Sequence, residues 1–381
     1  MIMDYRKYDS YKAEAYPVRH RKKDLSRIEA RIDLEYKRKI LDIRDMDAQL
    51  GNYILGADDY VELVSEAHSV NVHWSTHLEG NPLSLDEVRK SSRRMMTSKE
   101  VIIKDPGPAQ EIMNHLYFLF ADDMFLLPWH IETIEDLHRI LMTGTGEDCS
   151  PGTIRTKGEE MGVYTEDGTE SFIACPGVHV RNELGALLDW IDISPYDPLV
   201  TAVVFFHKFE SIHPFTEGNG RVGRTLFHIL MQELGLENFG LCRLEDKLLA
   251  VSGRYYSLME YTDAEADYTP LCEFFTDCIL EAYDEAIREF SAKDVLKGLD
   301  ENARTIALEA RAEGDWFSVS DAREWVGGVG EQTVRARLSD LTGMKVLEKD
   351  GLTRATRYRF RDPFEHLRTV AAKAVGIHKD E

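Results

Sequence analysis

The chain has 381 residues, 43% of them hydrophobic, and Asp plus Glu outnumber Lys plus Arg by 68 to 46, which gives a formal charge of −22. Nothing in this composition suggests a disordered protein, and the length predicts two or three domains. The charge repels nucleic acid and anionic membranes globally, and no apolar run approaches the roughly 20 residues that span a bilayer. Because the amino-terminal residues also lack the apolar core of a signal peptide, we expect a cytoplasmic protein with no membrane partner.

The cysteines and the first basic cluster point to no special chemistry. Five cysteines without CxxC spacing indicate neither a disulfide framework nor a zinc site. We interpret them as reduced core thiols: Cys149, Cys175, Cys242, Cys272 and Cys278. The RHRKK run at 19–23 is interpreted as a solvated surface.

Residues 25–280 carry apolar side chains every three to four positions, which predicts a mainly helical structure. Within this region, the helix over 58–78 is expected to stop at Gly80. Ser84 with Glu87 then predicts a capping box for the following helix.

Two segments depart from the helical pattern. In 161–177, two short β-prone runs flank Asp167-Gly168, which predicts a β-hairpin. Beyond residue 290, three helical stretches precede a second hairpin, with helices over 301–312, 320–325 and 331–341 and strands over 345–349 and 356–360.

A glycine loop is predicted between two helices near the middle of the chain. Residues 199–212 are apolar nearly all round, as a buried central helix would be. Pro214 disfavours helical geometry at His213, so that helix should end there. Gly218 and Gly220 then permit unusual backbone angles before a second helix begins.

The loop sequence HPFTEGNGRVGR, residues 213–224, combines groups that suit nucleotidyl transfer. The helix start presents amide hydrogens to a phosphate, and Arg221 and Arg224 add forked donors on one face. Glu217 would repel the phosphates unless a cation bridged them, and Mg²⁺ commonly binds through one carboxylate plus substrate phosphates. His213 is suited to accept a proton from an attacking hydroxyl.

Three other interpretations account for parts of this stretch. A structural histidine and solvent-facing arginines are common singly, but their combination with a carboxylate and two glycines favours a site. GNGRVG matches the dinucleotide-binding pattern GxGxxG, which must follow a strand, whereas a helical segment precedes it here. Glu210 with His213 and Glu135 with His138 form the ExxH pairs of a di-iron bundle, but Pro214 takes His213 off the helix face.

The twelve residues 213–224 resemble the signature of the Fic domain family, HPFx[D/E]GNGRxxR, at every fixed position. Similarity extends over most of 60–290 through IEDLHRILM at 134–142, LGALLDWI at 184–191 and RYYSLM at 254–259. The resemblance implies a mainly α fold: a helical bundle with a small hairpin flap. It also implies transfer of AMP from ATP, with Mg²⁺, to a hydroxyl side chain of a target protein.

The resemblance further implies a role for each residue of the loop. These roles are general base for His213, magnesium ligand for Glu217, phosphate positioning for Asn219, backbone anion hole for Gly218 and Gly220, and phosphate binding for Arg221 and Arg224. The 161–177 hairpin matches the family's flap, which would align an extended target segment by strand addition.

The segment STHLEGN at 75–81 resembles the family's inhibitory motif, [S/T]xxxE[G/N], through Ser75, Glu79 and Gly80. A carboxylate in the last turn of a helix is unfavourable by about 0.3–1 kcal/mol, so a compensating partner is expected. We predict that Glu79 pairs with Arg224, which would withhold this arginine from ATP and silence the enzyme. In some relatives the same glutamate helps water to remove AMP, and this second activity stays open.

The carboxy-terminal region is predicted to be a winged helix. Residues 331–361 contain eight basic and four acidic residues, so DNA binding, protein docking and homodimer formation stay open. An alternative function is a DNA-binding transcriptional regulator whose Fic-like core senses nucleotide. We predict four parts: an N-terminal region with the inhibitory helix over 1–110, a Fic catalytic domain over 111–290, the winged helix over 296–365 and a tail over 366–381.

Overall fold

The structure, a computed structural model, describes residues 3–102, 106–121, 125–164, 168–352, 356–374 and 376. It is mainly helical, as the sequence predicts. The helices are α1 (Leu34–Gly51), α2 (Ala57–His77), α3 (Leu85–Thr97), α4 (Pro108–Phe118), α5 (Ile131–Met142), α6 (Gly177–Ile193), α7 (Pro198–Ile212), α8 (Asn219–Glu233), α9 (Leu244–Ala250), α10 (Ser252–Glu265), α11 (Thr269–Lys293), α12 (Glu301–Glu313), α13 (Val319–Val326), α14 (Glu331–Gly343) and α15 (Glu365–Ala374). In these residues, no helix has both the length and the apolarity needed to cross a membrane.

Helix α7 lies at the centre of the main core. It packs against α6, α8 and α11, and all its residues except Pro198 and Glu210 are buried. This enclosure explains its apolar character on every face. The five cysteines are free thiols, four of them buried and Cys149 partly exposed.

Helix α2 packs against α3, α4, α8 and α9, which places its carboxy-terminal end beside the start of α8. Just after α2, the chain turns away at Gly80, whose φ of +90° is a left-handed conformation that glycine adopts without strain. The next helix starts with the predicted capping box, because the Glu87 carboxylate accepts a hydrogen bond from the Ser84 amide at 2.9 Å.

A three-stranded sheet contains the predicted hairpin. Strand β2 (Gly162–Tyr164) pairs antiparallel with β3 (Glu170–Ile173), while Asp167 in the predicted turn lies outside the described residues. The third strand, β1 (Val18–Arg19), pairs in parallel with the other edge of β3. A strand of two residues has no alternating pattern, so the sequence did not indicate it.

The predicted solvated surface at 19–23 is wrong for two of its members. The side chains of His20 and Lys23 are only 3% and 8% exposed. His20 contacts the Glu183 carboxylate, and the Lys23 ammonium donates to the Thr262 carbonyl oxygen. These partners lie more than 160 residues away, so local charge patterning could not reveal them.

The carboxy-terminal unit has the predicted order of elements. Helices α12, α13 and α14 enclose a separate core, followed by the antiparallel strands β4 (Leu347–Asp350) and β5 (Arg357–Phe360). Its assignment as a winged helix stays a prediction, and Arg354, one of the eight basic residues counted in the sequence, lies outside the described residues. The unit joins the main body through an ion pair between Lys345 and Asp58 and a hydrogen bond between Val295 and Ile54.

The predicted tail contains a helix. Helix α15 packs on α4, and its buried residues Leu367, Val370 and Ala371 join a core cluster with Val64 and Val72 of α2. The spacing of these three residues is helical. The sequence therefore contains a local amphipathic signal for this helix.

Candidate active site

Helix α7 ends at His213, the first residue of the glycine loop. His213 has φ 53° and ψ 64°, a left-handed conformation that is uncommon for a residue with a side chain. Its Nδ1 lies 3.3 Å from the backbone oxygen of Glu210, which can only accept a hydrogen bond. This contact therefore favours the tautomer with the proton on Nδ1, leaving the lone pair on Nε2.

The electrostatic surroundings keep His213 neutral. Burial, reinforced by the positive charge of Arg155, lowers the pKa of His213 to about 4. At neutral pH its imidazole consequently has a lone pair available to accept a proton. This state suits a general base.

Arg155 holds the end of α7 in place, and sequence reasoning missed it. Its guanidinium donates to four backbone carbonyl oxygens, those of Glu159, Cys175, Ile212 and His213, at 2.7–3.0 Å. The buried side chain thereby ties the histidine to both ends of the hairpin segment. No local pattern marks Arg155, because two of its acceptors lie more than 50 residues along the chain.

We expect Arg155→Met to lower the free energy of unfolding by about 2–4 kcal/mol, because each buried carbonyl left without a donor costs about 1–3 kcal/mol before local relaxation. Urea denaturation measures the change. Arg181→Met is the matched control, since Arg181 forms only exposed ion pairs with Glu132 and Glu135 and should cost less than about 1 kcal/mol. Equal stability of the two variants would contradict this role for Arg155.

The rest of the loop is held by its own side chains. The Asn219 side chain makes two hydrogen bonds with the backbone of Phe215. Its Oδ1 accepts from the Phe215 N–H, and its Nδ2 donates to the Phe215 carbonyl oxygen, at 2.8 Å each. Gly218 has φ +81°, and a Cβ there would lie 2.6 Å from the sulfur of Met142. His138 stacks on the Phe215 ring and contacts the Glu217 backbone oxygen at 3.0 Å.

Two residues of the motif have contacts that the sequence did not indicate. The Asn219 side chain shapes the loop in this structure, whereas the motif implied that it positions a phosphate. Arg221, only 2% exposed, donates to Glu111 and to both carboxylate oxygens of Glu147 at 2.5–2.7 Å. These carboxylates outweigh the effect of burial and raise the pKa of Arg221. A phosphate that binds Arg221 must therefore compete with Glu147.

Glu217 lies exposed at the loop surface and fits the donor chemistry of a magnesium site. Partial desolvation of its carboxyl by the surrounding loop, together with repulsion by Glu147, raises the pKa of Glu217. A cation at this position would relieve that repulsion, and Mg²⁺ prefers carboxylate and phosphate oxygens. The role of Glu217 as magnesium ligand stays a prediction.

The predicted contact between Glu79 and Arg224 is present. The Arg224 Nη2 lies 2.7 Å from the Glu79 Oε1 and also donates to the Ser75 backbone oxygen, while Nε donates to the Ser75 hydroxyl at 2.9 Å. Arg224 is 8% exposed and Glu79 30%. Burial alone would raise the pKa of Glu79, but the attraction of Arg224 outweighs it and holds this pKa below its ordinary value.

Gly220 makes room for this ion pair. A Cβ at position 220 would lie 2.2 Å from the Glu79 Oε1 and 2.8 Å from the Arg224 Nη1. Neither group could stay where it is beside a larger residue. The glycine thus has a steric role in addition to the backbone role that the motif implies.

These residues meet in a cleft of about 680 Å³. His213, Gly220, Arg224 and Glu79 line one part of it. Residues of the hairpin and of α10 form its walls, namely Val163, Tyr164, Ser171, Phe172, Tyr255, Tyr256 and Met259. Tyr256 is exposed, and its ring offers a flat apolar face on which a nucleotide base can pack.

Glu210 also faces the cleft. Burial raises its pKa to about 8, so the carboxyl is largely protonated at neutral pH. Its Oε1 has no hydrogen-bond partner among the described residues. The sequence had raised Glu210 only as an iron ligand, whereas in the structure His213 Nδ1 contacts the Glu210 backbone oxygen.

Residues 128–231 match the Fic/DOC family. The matched residues include helices α5, α6 and α7 and the glycine loop. It is 26% identical over 235 residues to "Protein adenylyltransferase fic-1" of Caenorhabditis elegans, covering 60% of this chain and 43% of the relative. It is 23% identical over 260 residues to "Protein adenylyltransferase Fic" of Nematostella vectensis, covering 65% and 54%. The chain thus spans about half of the length of these curated relatives.

Two solved structures share the fold. A Fic family protein from Desulfovibrio desulfuricans G20 aligns with a TM-score of 0.55 and 22% identity over 85% of this chain and 96% of its own. Fic-1 residues 134–508 from C. elegans align with a TM-score of 0.51 and 22% identity over 67% and 73%. These alignments establish a common architecture.

Proposed function

We propose that this protein transfers AMP from ATP to a hydroxyl side chain of a target protein and that Glu79 restrains this activity. The observation that carries the proposal is the neutral His213 in one cleft with the start of α8 and with Arg224. The names of the curated relatives support the same reaction.

In the proposed reaction, the target hydroxyl oxygen attacks the α-phosphorus of ATP. The new bond joins this oxygen to phosphorus, the bond from the α-phosphorus to the bridging oxygen breaks, and pyrophosphate leaves. His213 accepts the proton of the hydroxyl at Nε2. The amides at the start of α8 and the guanidinium of Arg224 stabilise the phosphate charge.

Glu217 would hold the magnesium ion, which supplies charge neutralisation on the phosphates when bound. This carboxylate lies in the glycine loop beside the first turn of α8, within the same segment as the anion-binding amides. The assignment rests on the oxygen chemistry of the loop and on the raised pKa of Glu217.

The hairpin would position the target segment through its outer strand. In the sheet order β1-β3-β2, the chain itself covers one edge of β3 and β2 forms the outer edge. An extended segment added to Gly162–Tyr164 would lie along the cleft, which Val163 and Tyr164 line. Backbone pairing of this kind requires no particular target sequence.

ATP labelled at either the α- or the γ-phosphate tests the reaction. With magnesium and candidate targets from a lysate, the Glu79→Gly variant should transfer only the α-label to protein. A γ-label on protein would indicate a kinase instead, and no label under any condition would favour the nucleotide-sensing regulator. Loss of α-label from a purified labelled target on return to the wild type would show AMP removal.

The DNA-binding alternative receives less support from the carboxy-terminal unit. Arg335 pairs with Glu331, Arg337 with Asp300, and Arg359 with Glu348 and Glu365. These pairs neutralise part of the basic excess within the described residues. A surface of this kind suits protein docking better than a phosphate backbone.

A further inference from the structure

A cluster of three side chains that can bind a metal lies where the hairpin joins α6. One ring nitrogen of His20, the Cys175 sulfur and one Glu183 carboxylate oxygen all lie within 4.8 Å of one another. They come from three separate segments, because His20 follows β1, Cys175 follows β3 and Glu183 lies on α6. The spacing of the cysteines could not indicate such a site, since two of its donors are not cysteines and all three are far apart in the sequence.

Hydrogen bonds orient the His20 ring. The Ser211 hydroxyl donates to the Asp263 carboxylate at 3.0 Å, so its oxygen accepts from His20 Nδ1 at 2.7 Å. The proton of that second bond therefore sits on Nδ1. The other ring nitrogen, Nε2, lies 2.6 Å from Glu183 Oε2. Metal-ligating histidines usually donate their other ring N–H to a polar partner in this way.

The contact between His20 Nε2 and Glu183 Oε2 needs a positive charge. Two lone pairs 2.6 Å apart repel each other, so the contact requires either a shared proton or a metal ion. The Cys175 sulfur in the same cluster favours the metal ion, which binds a thiolate as well, whereas a proton serves the pair alone. The thiol donates to the Pro176 backbone oxygen at 3.6 Å, a weak bond, so little is lost when it gives up its proton.

The charge of the cluster stays the same when a divalent metal ion binds. The ion displaces the proton shared by His20 and Glu183 and the thiol proton of Cys175, so two positive charges replace two. This balance matters because the buried Lys208 ammonium interacts electrostatically with both Glu183 and Cys175. The exchange therefore adds no repulsion towards that ammonium.

The donor set selects among divalent ions. An imidazole nitrogen, a thiolate sulfur and a carboxylate oxygen are all ligands of Zn²⁺, whereas Mg²⁺ and Ca²⁺ prefer oxygen ligands. Ligand atoms around a tetrahedral zinc ion are about 3.3–3.8 Å apart, since its bonds are about 2.0–2.3 Å long. The His20 and Glu183 atoms, now 2.6 Å apart, must therefore separate by about 0.7 Å on binding. The Glu183 side chain is 11% exposed, which leaves the ion a path of entry.

We propose that His20, Cys175 and Glu183 form a Zn²⁺ site that fastens the amino-terminal arm, residues 18–23, and the base of the hairpin to α6. Three protein ligands leave one position of a tetrahedral ion for a water molecule. The arm already adds β1 to the hairpin, and the His20 amide donates to the Ile173 oxygen at 2.7 Å. The ion adds a link from this sheet to α6. Binding at this site does not rest on the proposed function.

Titration of the full chain with cobalt(II) chloride, after treatment with a chelator and a reductant, tests the site, because cobalt(II) occupies zinc sites and is coloured. The wild type should bind one cobalt ion with a thiolate-to-cobalt charge-transfer band, and Zn²⁺ should displace it. Cys175→Ser should abolish the band. Loss of an outer partner costs about 10–100-fold in metal affinity, so loss of this ligand should weaken zinc binding, measured by calorimetry, at least about 100-fold.

Two control variants separate this site from other metal-binding groups. Cys149→Ser removes the partly exposed thiol and should keep the band. Glu217→Gln removes the proposed magnesium ligand and should keep it as well. Ser211→Ala removes the partner of His20 Nδ1 and should weaken zinc binding by about tenfold.

Absence of the charge-transfer band from the wild type overturns the proposal without any variant, as does a band that survives in Cys175→Ser. A cluster that only shares a proton takes up no zinc, and that result also refutes the site. If Cys175→Ser does not fold, His20→Gln serves in its place and should lower zinc affinity at least about 100-fold. Because these measurements need neither ATP nor AMP transfer, failure of the reaction and failure of the site are distinguishable.

Discussion

Replacement of Glu79 by glycine is expected to raise the rate of AMP transfer by about 10²-fold, the scale on which one charged or hydrogen-bonding group at a reacting centre acts. In the structure the Arg224 guanidinium is committed to Glu79 and to both oxygen atoms of Ser75. Removing the carboxylate leaves Arg224 on its two Ser75 contacts and frees the one Nη2 hydrogen that Glu79 accepts, which can then donate to a phosphate oxygen. It also removes a negative charge from the cleft that ATP must enter.

Initial rates of α-label transfer at saturating ATP and magnesium measure this effect. Glu79→Gln should give a smaller increase, because the amide still accepts a hydrogen bond from Arg224 but carries no charge. Ser75→Ala removes one acceptor and leaves the ion pair, so we expect a change of only a few-fold. If Glu79→Gly is no faster than wild type, Glu79 does not restrain the enzyme.

Replacement of His213 by alanine in the Glu79→Gly background is expected to lower transfer by about 10²–10⁴-fold, the usual contribution of a general base. The loss follows from the neutral imidazole of His213, which lines the cleft and whose Nδ1 contacts the Glu210 backbone oxygen, so that the lone pair is on Nε2. No other side chain lining the described part of the cleft is a histidine.

ATP affinity separates a chemical role of His213 from a structural one. His213→Ala should bind ATP and magnesium with less than threefold change by calorimetry, because Arg155 holds the backbone of the loop and does not contact the ring. His179→Ala, an exposed histidine on α6, should leave both rate and affinity unchanged. A His213→Ala variant that keeps its transfer rate would exclude the histidine as the base.

Much of the helical architecture was readable from the sequence. The ends of α2 and α7 were predicted from Gly80 and Pro214, and the antiparallel hairpin from its β-prone runs. The resemblance also pointed to the contact between Glu79 and Arg224, 145 residues apart, which no periodicity could indicate. The inhibitory meaning of that contact stays a prediction until the Glu79 variant is measured.

The surroundings of the motif were not readable from it. Arg155 has no sequence signal, because its four acceptors are backbone oxygens that only the folded chain brings together. The ion pairs of Arg221 with Glu111 and Glu147 join residues that are separated by 110 and 74 positions in the sequence. The addition of β1 to the hairpin likewise depends on an edge that exists only after β3 has formed.

The sequence by itself determined which residues form helices and where the glycine loop interrupts them, because periodicity, capping and backbone restriction act within a few residues. Only the tertiary structure decided which charges are neutralised by ion pairs and which polar side chains become buried. The reason is that burial and charge pairing are set by groups from distant parts of the chain, whose relative positions no local pattern encodes.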